Sequence, residues 1–320
     1  MNRDEFYLIK KRNYKQMKTG LALGSGAARG LTHIGVLNAL EEKKISIDYI
    51  SGSSIGALIG AAYAMGMPLS EIENIALKTD WKLMAKIFLP TLSLSAIVND
   101  KYVGEFLYSL FGDKDFEDLK IPFSVITTDI ESGQMVVLES GNLLKAVRAS
   151  ISLPMLFSPV IYDSKKLVDG GLSNPIPVDI VKAQNVDMVI AVNLRGFSPI
   201  NSSLPKENPI KNNDKKLNEL TLNEKIEFFL KSPIKYFGDK PQKEEIEIPK
   251  FGSLLYQMFI IVQVQMAALT LKNAKPDILI EPDTSSFKIF DFQKSKELID
   301  IGYQTANSVL ENYFSEQNIL

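Results

Sequence analysis

The chain has 320 residues and a formal net charge of −2, with 45% apolar and 23% charged residues. That is enough apolar residue to bury a core, and the charge is too balanced to argue for a nucleic-acid partner. There is no cysteine and a single histidine, His33, which excludes disulfides, thiolate nucleophiles, iron–sulfur clusters and Cys- or His-rich metal sites. The leading stretch, residues 1–17, lacks the apolar run of a secretory signal and carries Arg3, Lys10, Lys11, Arg12 and Lys15. It reads as a basic, solvated tail whose charge would also suit anionic lipid.

Gly20–Gly24 reads as a short buried strand entering a glycine-rich turn, and Leu31–Lys43 as a helix. Ile45–Ser51 reads as a second strand and Ser54–Met65 as a second helix. Pro68–Leu77 suits a third, opened by Pro68 and Ser70. Further strands are expected at Pro122–Thr128, Gln134–Leu138, Val160–Tyr162, Lys166–Val168, Met188–Asn193 and Asp277–Glu281, with hairpin turns at Gly133 and at Ser164–Lys165. Helices are expected at Asn142–Ser150 and Val178–Asn185. Strands alternating with helices predict an α/β fold, a three-layer sandwich with a mainly parallel central sheet flanked by helices.

Asn201–Lys250 differs in character, with ten Lys and nine Asp or Glu. It reads as a polar surface insertion rather than a second domain. Within it, Ile226–Phe237 is amphipathic and suits a lid, a membrane-touching element or a helix packed on the body. Phe251–Leu271 has no charged residue, yet Gln257, Gln263 and Gln265 interrupt it, and Leu255, Met258, Phe259, Val262, Met266 and Leu269 repeat at helical spacing. It reads as a core helix rather than a membrane span.

Three motifs carry chemistry. Gly52-Ser53-Ser54-Ile55-Gly56, between a strand and a helix, is a G-x-S-x-G nucleophile elbow. A tight turn needs small residues at Gly52 and Gly56, projects the Ser54 hydroxyl, and places it at a helix N-terminus. Gly24-Ser25-Gly26-Ala27-Ala28-Arg29-Gly30 follows a strand and opens a helix, which suits an anion site. A dinucleotide fingerprint would need glycine where Arg29 stands, and a nucleoside-triphosphate loop would need Lys-Ser/Thr. Beside an activated serine, such a turn suits an oxyanion hole, with Arg29 fixing the loop or lying on the surface. Asp169-Gly170-Gly171 follows an apolar-ended strand and gains meaning from conjunction with the other two.

His33 lies in the helix after the glycine-rich turn, and nothing after Ser54 can supply an imidazole. His33 reads as structural, which leaves the base to a carboxylate, Lys or Tyr. Asp169 is the choice: a Ser–Asp dyad whose carboxylate takes the Ser54 proton directly, with burial raising its pKa.

These motifs, in this order, resemble the patatin-like phospholipase family, on its bacterial, neuropathy-target-esterase-like side. LALGSGAARGLTHIGVL is similar to its oxyanion segment, GSSIG to its elbow and DGG to its aspartate motif. Arg148–Pro159 and the PDILIEPD and IFDF stretches are also family-like. The resemblance covers about residues 18–195 and 252–310. It implies one catalytic domain over 18–320, with the tail at 1–17 and the insertion at about 201–250. It further implies lipid acyl hydrolysis without metal or cofactor, with Ser54 as nucleophile, Asp169 as proton acceptor and Gly24, Ser25, Gly26 and Ala27 at the oxyanion turn. Arg29, Gly30, Gly52, Gly56, Gly170 and Gly171 support them. Plant-type members have three adjacent glycines where Ser25 and Ala27 intervene here, so which N–H groups donate stays open.

The expected activity is therefore a serine lipid acyl hydrolase acting on phospholipid or lysophospholipid. The alternatives are a transacylase with the same dyad and a non-catalytic nucleotide-binding regulator. A cytoplasmic protein is expected. Peripheral contact at the inner membrane surface and homo-oligomerisation stay open.

Overall fold

The structure, a computed structural model, describes residues 17–78, 100–154, 156–194, 251–288 and 290–317. Residues 1–16 of the basic tail, and the whole Asn201–Lys250 insertion with its Ile226–Phe237 patch, lie outside the described residues. By compactness the chain divides into one unit of Met1–Ser198 with Gln257–Leu320 and a second of Pro199–Tyr256; the fold below is that of the first.

Strands β1 (Thr19–Leu23), β2 (Tyr49–Ser53), β3 (Phe123–Asp129), β4 (Met135–Leu138), β5 (Val160–Tyr162), β6 (Lys165–Asp169), β7 (Met188–Val192) and β8 (Ile278–Ile280) form one sheet. Its order is β5-β6-β3-β2-β1-β7-β8, with β4 also paired to β3. The β3-β2-β1-β7-β8 portion is parallel throughout, and β4, β5 and β6 add antiparallel pairs. The sheet is thus mainly parallel, as expected, and β1, β2 and β7 are buried along their whole length. Strands covered on both faces can be apolar without alternation. The β5–β6 hairpin turns on Asp163 and Ser164, both at positive φ, one residue earlier than expected. Two left-handed residues are what a two-residue hairpin needs to match strand twist.

Helices are α1 (Thr32–Glu42), α2 (Ile55–Ala64), α3 (Leu69–Lys78), α4 (Asp100–Phe111), α5 (Leu143–Ser150), α6 (Val178–Lys182), α7 (Phe251–Asn273) and α8 (Ser295–Glu316). One face of the sheet packs a large cluster that takes Leu21 and Leu23 of β1 together with residues of α1 to α5 and α8. The other packs a smaller cluster that takes Ala22 of β1 with residues of α6 and α7. Helices therefore cover both faces, and the three layers follow. Where α1 crosses α8, a Cβ on Gly35 would collide with the Ile299 carbonyl, and one on Gly302 with the Thr32 carbonyl. The two backbones meet because both positions lack a side chain.

Helix α7 forms where the spacing predicts it but is not a core helix. Met258, Val262 and Leu269, three positions of the expected inward stripe, are 54%, 42% and 52% exposed. Contact with the sheet runs instead through Ala267, Leu271 and Ala274. With Lys272 in its last turn as the one charged residue, apolar spacing cannot orient the helix. Small side chains decide which face approaches the sheet, and the aliphatic face turns outward. Among the described residues no helix is long and apolar enough to cross a membrane.

Candidate active site

Strand β2 covers Phe123–Ile126 of β3, and its last residue Ser53 is in register with Ile126. Strand β6 pairs with β3 from Thr127 onward, and its last residue Asp169 is in register with Thr127. β4 flanks Val125–Thr128 of β3 at the same time. A strand has only two edges, so β2 and β6 share the edge opposite β4 in tandem. Their C-terminal ends meet head to head, which sets Ser54, the residue after β2, against Asp169, the last residue of β6.

The elbow follows from this junction. Ser54, between β2 and α2, adopts φ 56 and ψ −122, a conformation that costs a non-glycine residue about 1–3 kcal/mol unless its surroundings hold it. A Cβ on Gly52 would lie 2.6 Å from the Ala57 Cα, and one on Gly56 would collide with the Leu23 carbonyl. Neither position can carry a side chain. The Ser54 N–H donates to the Ser150 hydroxyl at 2.8 Å, and that hydroxyl donates to the Ile126 carbonyl at 2.6 Å. The end of α5 thereby ties the strained residue to β3.

The Ser54 hydroxyl, on a half-buried residue, donates to Asp169 Oδ2 at 2.6 Å. Asp169 Oδ1 accepts the Gly171 N–H at 2.8 Å, so Gly171 orients the carboxylate while Gly170 packs against β3 at the Ile126 carbonyl. The backbone of Asp169 is pinned as well: its N–H donates to the Ser152 carbonyl at 3.0 Å, and its carbonyl accepts the Thr128 hydroxyl at 2.9 Å. Burial pushes the Asp169 carboxyl up to about 6, against the hydrogen bonds from Ser54 and Gly171 that pull it down. A carboxylate so placed is a stronger base than a solvated one and is still mostly ionised at neutral pH.

The glycine-rich turn abuts this pair. Gly56 faces the Leu23 and Gly24 carbonyls, Gly30 packs against Ile55, and the Ser25 hydroxyl lies beside Gly171 and Asp169. Of the four expected donors, two are engaged elsewhere. The Gly24 N–H donates to the Val192 carbonyl at 3.1 Å and the Ser25 N–H to the Pro175 carbonyl at 2.8 Å. The first continues the β1–β7 ladder one residue past Leu23, and the second ties the turn to the segment before α6. Gly26 and Ala27 keep their N–H groups clear of such bonds at the start of a 3-10 turn, Ala27–Leu31. Arg29 sends Nε to the Phe287 carbonyl at 3.0 Å, which ties this turn to the C-terminal part of the chain. His33 is fully buried on α1, with Nε2 2.7 Å from the Gly24 carbonyl. Burial depresses its pKa to about 4, so the ring is neutral, and its bond goes to the turn and not to Ser54.

Four side chains, Arg148, Ser150, Ser152 and Gln263, stand outside the three motifs. Ser150 and Ser152 sit in R-A-S-I-S-L-P, where nothing local distinguishes their hydroxyls from filler. Arg148, buried beneath them, donates to the Ser152 hydroxyl at 2.6 Å and stacks over Phe157 at 4.9 Å. Gln263 projects from α7 so that a Cβ on Gly171 would collide with its Nε2. Its only sequence signal is a polar residue inside a largely apolar helix. Among the described residues no group of three or more His, Asp or Glu side chains is arranged to hold a metal ion.

Residues 21–182 match the model of a family described as patatin-like phospholipase. An uncharacterized NTE family protein of Mycobacterium tuberculosis is 28% identical, the match covering 95% of this chain and 94% of that one. Patatin-like phospholipase domain-containing protein 6 of Homo sapiens is 29% identical over 94% of this chain and 21% of its own length. Lysophospholipase NTE1 of Meyerozyma guilliermondii is 26% identical over 92% of this chain and 19% of its own. The chain thus corresponds to about a fifth of these two larger relatives.

Proposed function

The chain belongs to the patatin-like phospholipase family, and from that premise we propose that it is a serine lipid acyl hydrolase working through Ser54 and Asp169. The observation that carries the reading is the 2.6 Å hydrogen bond from the Ser54 hydroxyl to a buried carboxylate whose pKa stands near 6. The substrate class is a phospholipid or lysophospholipid. Its support is the family and the lysophospholipase names among the relatives.

In this mechanism Asp169 Oδ2 takes the Ser54 proton as Oγ attacks the acyl carbonyl carbon. The carbonyl π electrons move onto oxygen, and the Gly26 and Ala27 N–H groups with the N-terminus of α2 receive the negative charge. Collapse of the tetrahedral intermediate breaks the ester C–O bond, and the departing alkoxide takes the proton from Asp169. Water then gives a proton to Asp169 and attacks the acyl-enzyme, and collapse returns that proton to Ser54 with release of the fatty acid. The absence of an imidazole is consistent with proton transfer over one short bond. The aliphatic outer face of α7 supports peripheral contact with a lipid surface.

The test is fluorophosphonate labelling with peptide mapping, beside fatty-ester hydrolysis by wild type, Ser54→Ala and Asp169→Asn. The reading expects a single adduct on Ser54 and loss of hydrolysis in both variants. Wild-type turnover by Ser54→Ala overturns it. Acyl transfer to an added lipid alcohol in place of fatty-acid release would identify the acceptor as alcohol and leave the dyad unchanged.

A further inference from the structure

We infer that His33 is a positioning residue for the oxyanion turn: its imidazole clamps the Gly24–Ser25 peptide so that the next two N–H groups, of Gly26 and Ala27, point at the developing charge. The inference rests on the acyl-hydrolase reading of Ser54 and Asp169. Its observations concern a different part of the site.

His33 Nε2 lies 2.7 Å from the Gly24 carbonyl oxygen. A carbonyl can only accept, so Nε2 carries the hydrogen and Nδ1 is bare; Nδ1 is buried without a hydrogen-bond partner. The tautomer is therefore set by one bond. The peptide that supplies this carbonyl also supplies the Ser25 N–H, which donates to the Pro175 carbonyl at 2.8 Å. One peptide unit is thus held at both its oxygen and its nitrogen, by groups from two different parts of the chain.

Immediately past the clamp the backbone does something it does not do unaided. Gly26 has φ 167 and ψ 11, and Ala27 adopts φ 51, a left-handed conformation unfavourable for a residue with a Cβ. Such a turn persists only where its surroundings over-determine it. The clamp supplies that constraint one residue upstream of the free donors. A ring suits the task, since it reaches the carbonyl from the first turn of α1 with few rotamers to freeze, and it sits in the core with no exposed surface. The sole histidine is then accounted for without any part in proton transfer.

The test compares His33→Leu, which removes the donor, with His33→Gln, whose Nε2 restores an N–H at similar reach. Each is measured for hydrolysis of a fatty-acyl ester, for the rate of fluorophosphonate labelling and for thermal melting. Removing an oxyanion donor outright costs roughly 100- to 1,000-fold in kcat. Misaiming two donors should cost His33→Leu about 10- to 100-fold, with KM changed less than about twofold and labelling slowed in parallel. His33→Gln should recover most of the loss, and the acid limb of the pH profile should stay at its wild-type position in both, because Asp169 sets it. A folded His33→Leu with wild-type kcat, or a folded His33→Gln no better than His33→Leu, overturns the inference. If the Leu variant does not fold, the nitrogen NMR spectrum of the one imidazole in the wild-type protein decides. A protonated Nε2 slow to exchange is expected, and a protonated Nδ1 overturns the clamp. Failure of the parent reading is separable, since it appears as a wild-type protein that neither labels at Ser54 nor hydrolyses ester.

Discussion

On the proposed reading Asp169 gains its basicity at the expense of stability, and Asp169→Asn should expose the trade. In the fold burial raises this carboxyl from 3.8 to about 6. A raised carboxylate pKa means that the native state holds the proton more tightly than the unfolded chain does. The associated stability is fully present below pH 3.8 and is lost as pH rises through about 6. At about 1.4 kcal/mol per pH unit, a native state carrying ionised Asp169 is weakened by about 3 kcal/mol at pH 7.5. Asparagine keeps an oxygen for the Gly171 N–H but carries no charge, and its own amide hydrogens need partners. The expected gain is therefore about 1–3 kcal/mol, or several degrees in Tm at about 2–4 °C per kcal/mol. Urea denaturation of wild type and Asp169→Asn at pH 4, 5, 6 and 7.5 is the assay. The advantage of the variant should grow from near zero at pH 4 to its full value at pH 7.5, while ester hydrolysis falls at least about 100-fold. An Asp169→Asn protein no more stable than wild type at pH 7.5, or a difference flat across pH, would refute the burial argument.

The acid limb of kcat/KM for ester hydrolysis should fall with an apparent pKa near 6, well above that of a solvated aspartate, as measured on the free enzyme between pH 4.5 and 8. Ser150→Ala strands the Ser54 N–H and the Ile126 carbonyl; melting should report a loss of about 1–3 kcal/mol, with kcat reduced more than KM. Gly35→Ala forces a methyl into the Ile299 carbonyl where α1 crosses α8 and should cost about 1–3 kcal/mol or more. Gly104→Ala on α4, where a methyl meets nothing within 4 Å, should instead hold or raise Tm.

Much of the architecture is legible because parallel sheets advertise themselves as short apolar runs separated by helices and turns, and β1, β2, β3 and β7 all follow that grammar. The elbow is legible for a steric reason, since Gly52 and Gly56 have no alternative residue. Helices α4 and α8 pass unread. The buried face of α8 includes Gly302 and Ala306 among its larger residues, so close backbone approach stands in for the apolar stripe that periodicity seeks. The outward turn of α7 is hidden for the opposite reason, a helix with apolar residues on more than one side and its one charge in the last turn. At the oxyanion turn the residues are readable and the donors are not. The partners that occupy the Gly24 and Ser25 N–H groups, Val192 and Pro175, lie 168 and 150 residues away and have no local signature.

The head-to-head ends of β2 and β6 have a consequence for how the protein comes into being. The hydroxyl and the carboxylate are 115 positions apart, and each gains its place only when its own strand docks on the same edge of β3. A newborn or half-refolded chain can carry much of its helix and strand and still lack the pair, because long-range strand docking is slow. Recovery of ester turnover should therefore trail recovery of circular dichroism on refolding, since turnover waits on the docking of both β2 and β6.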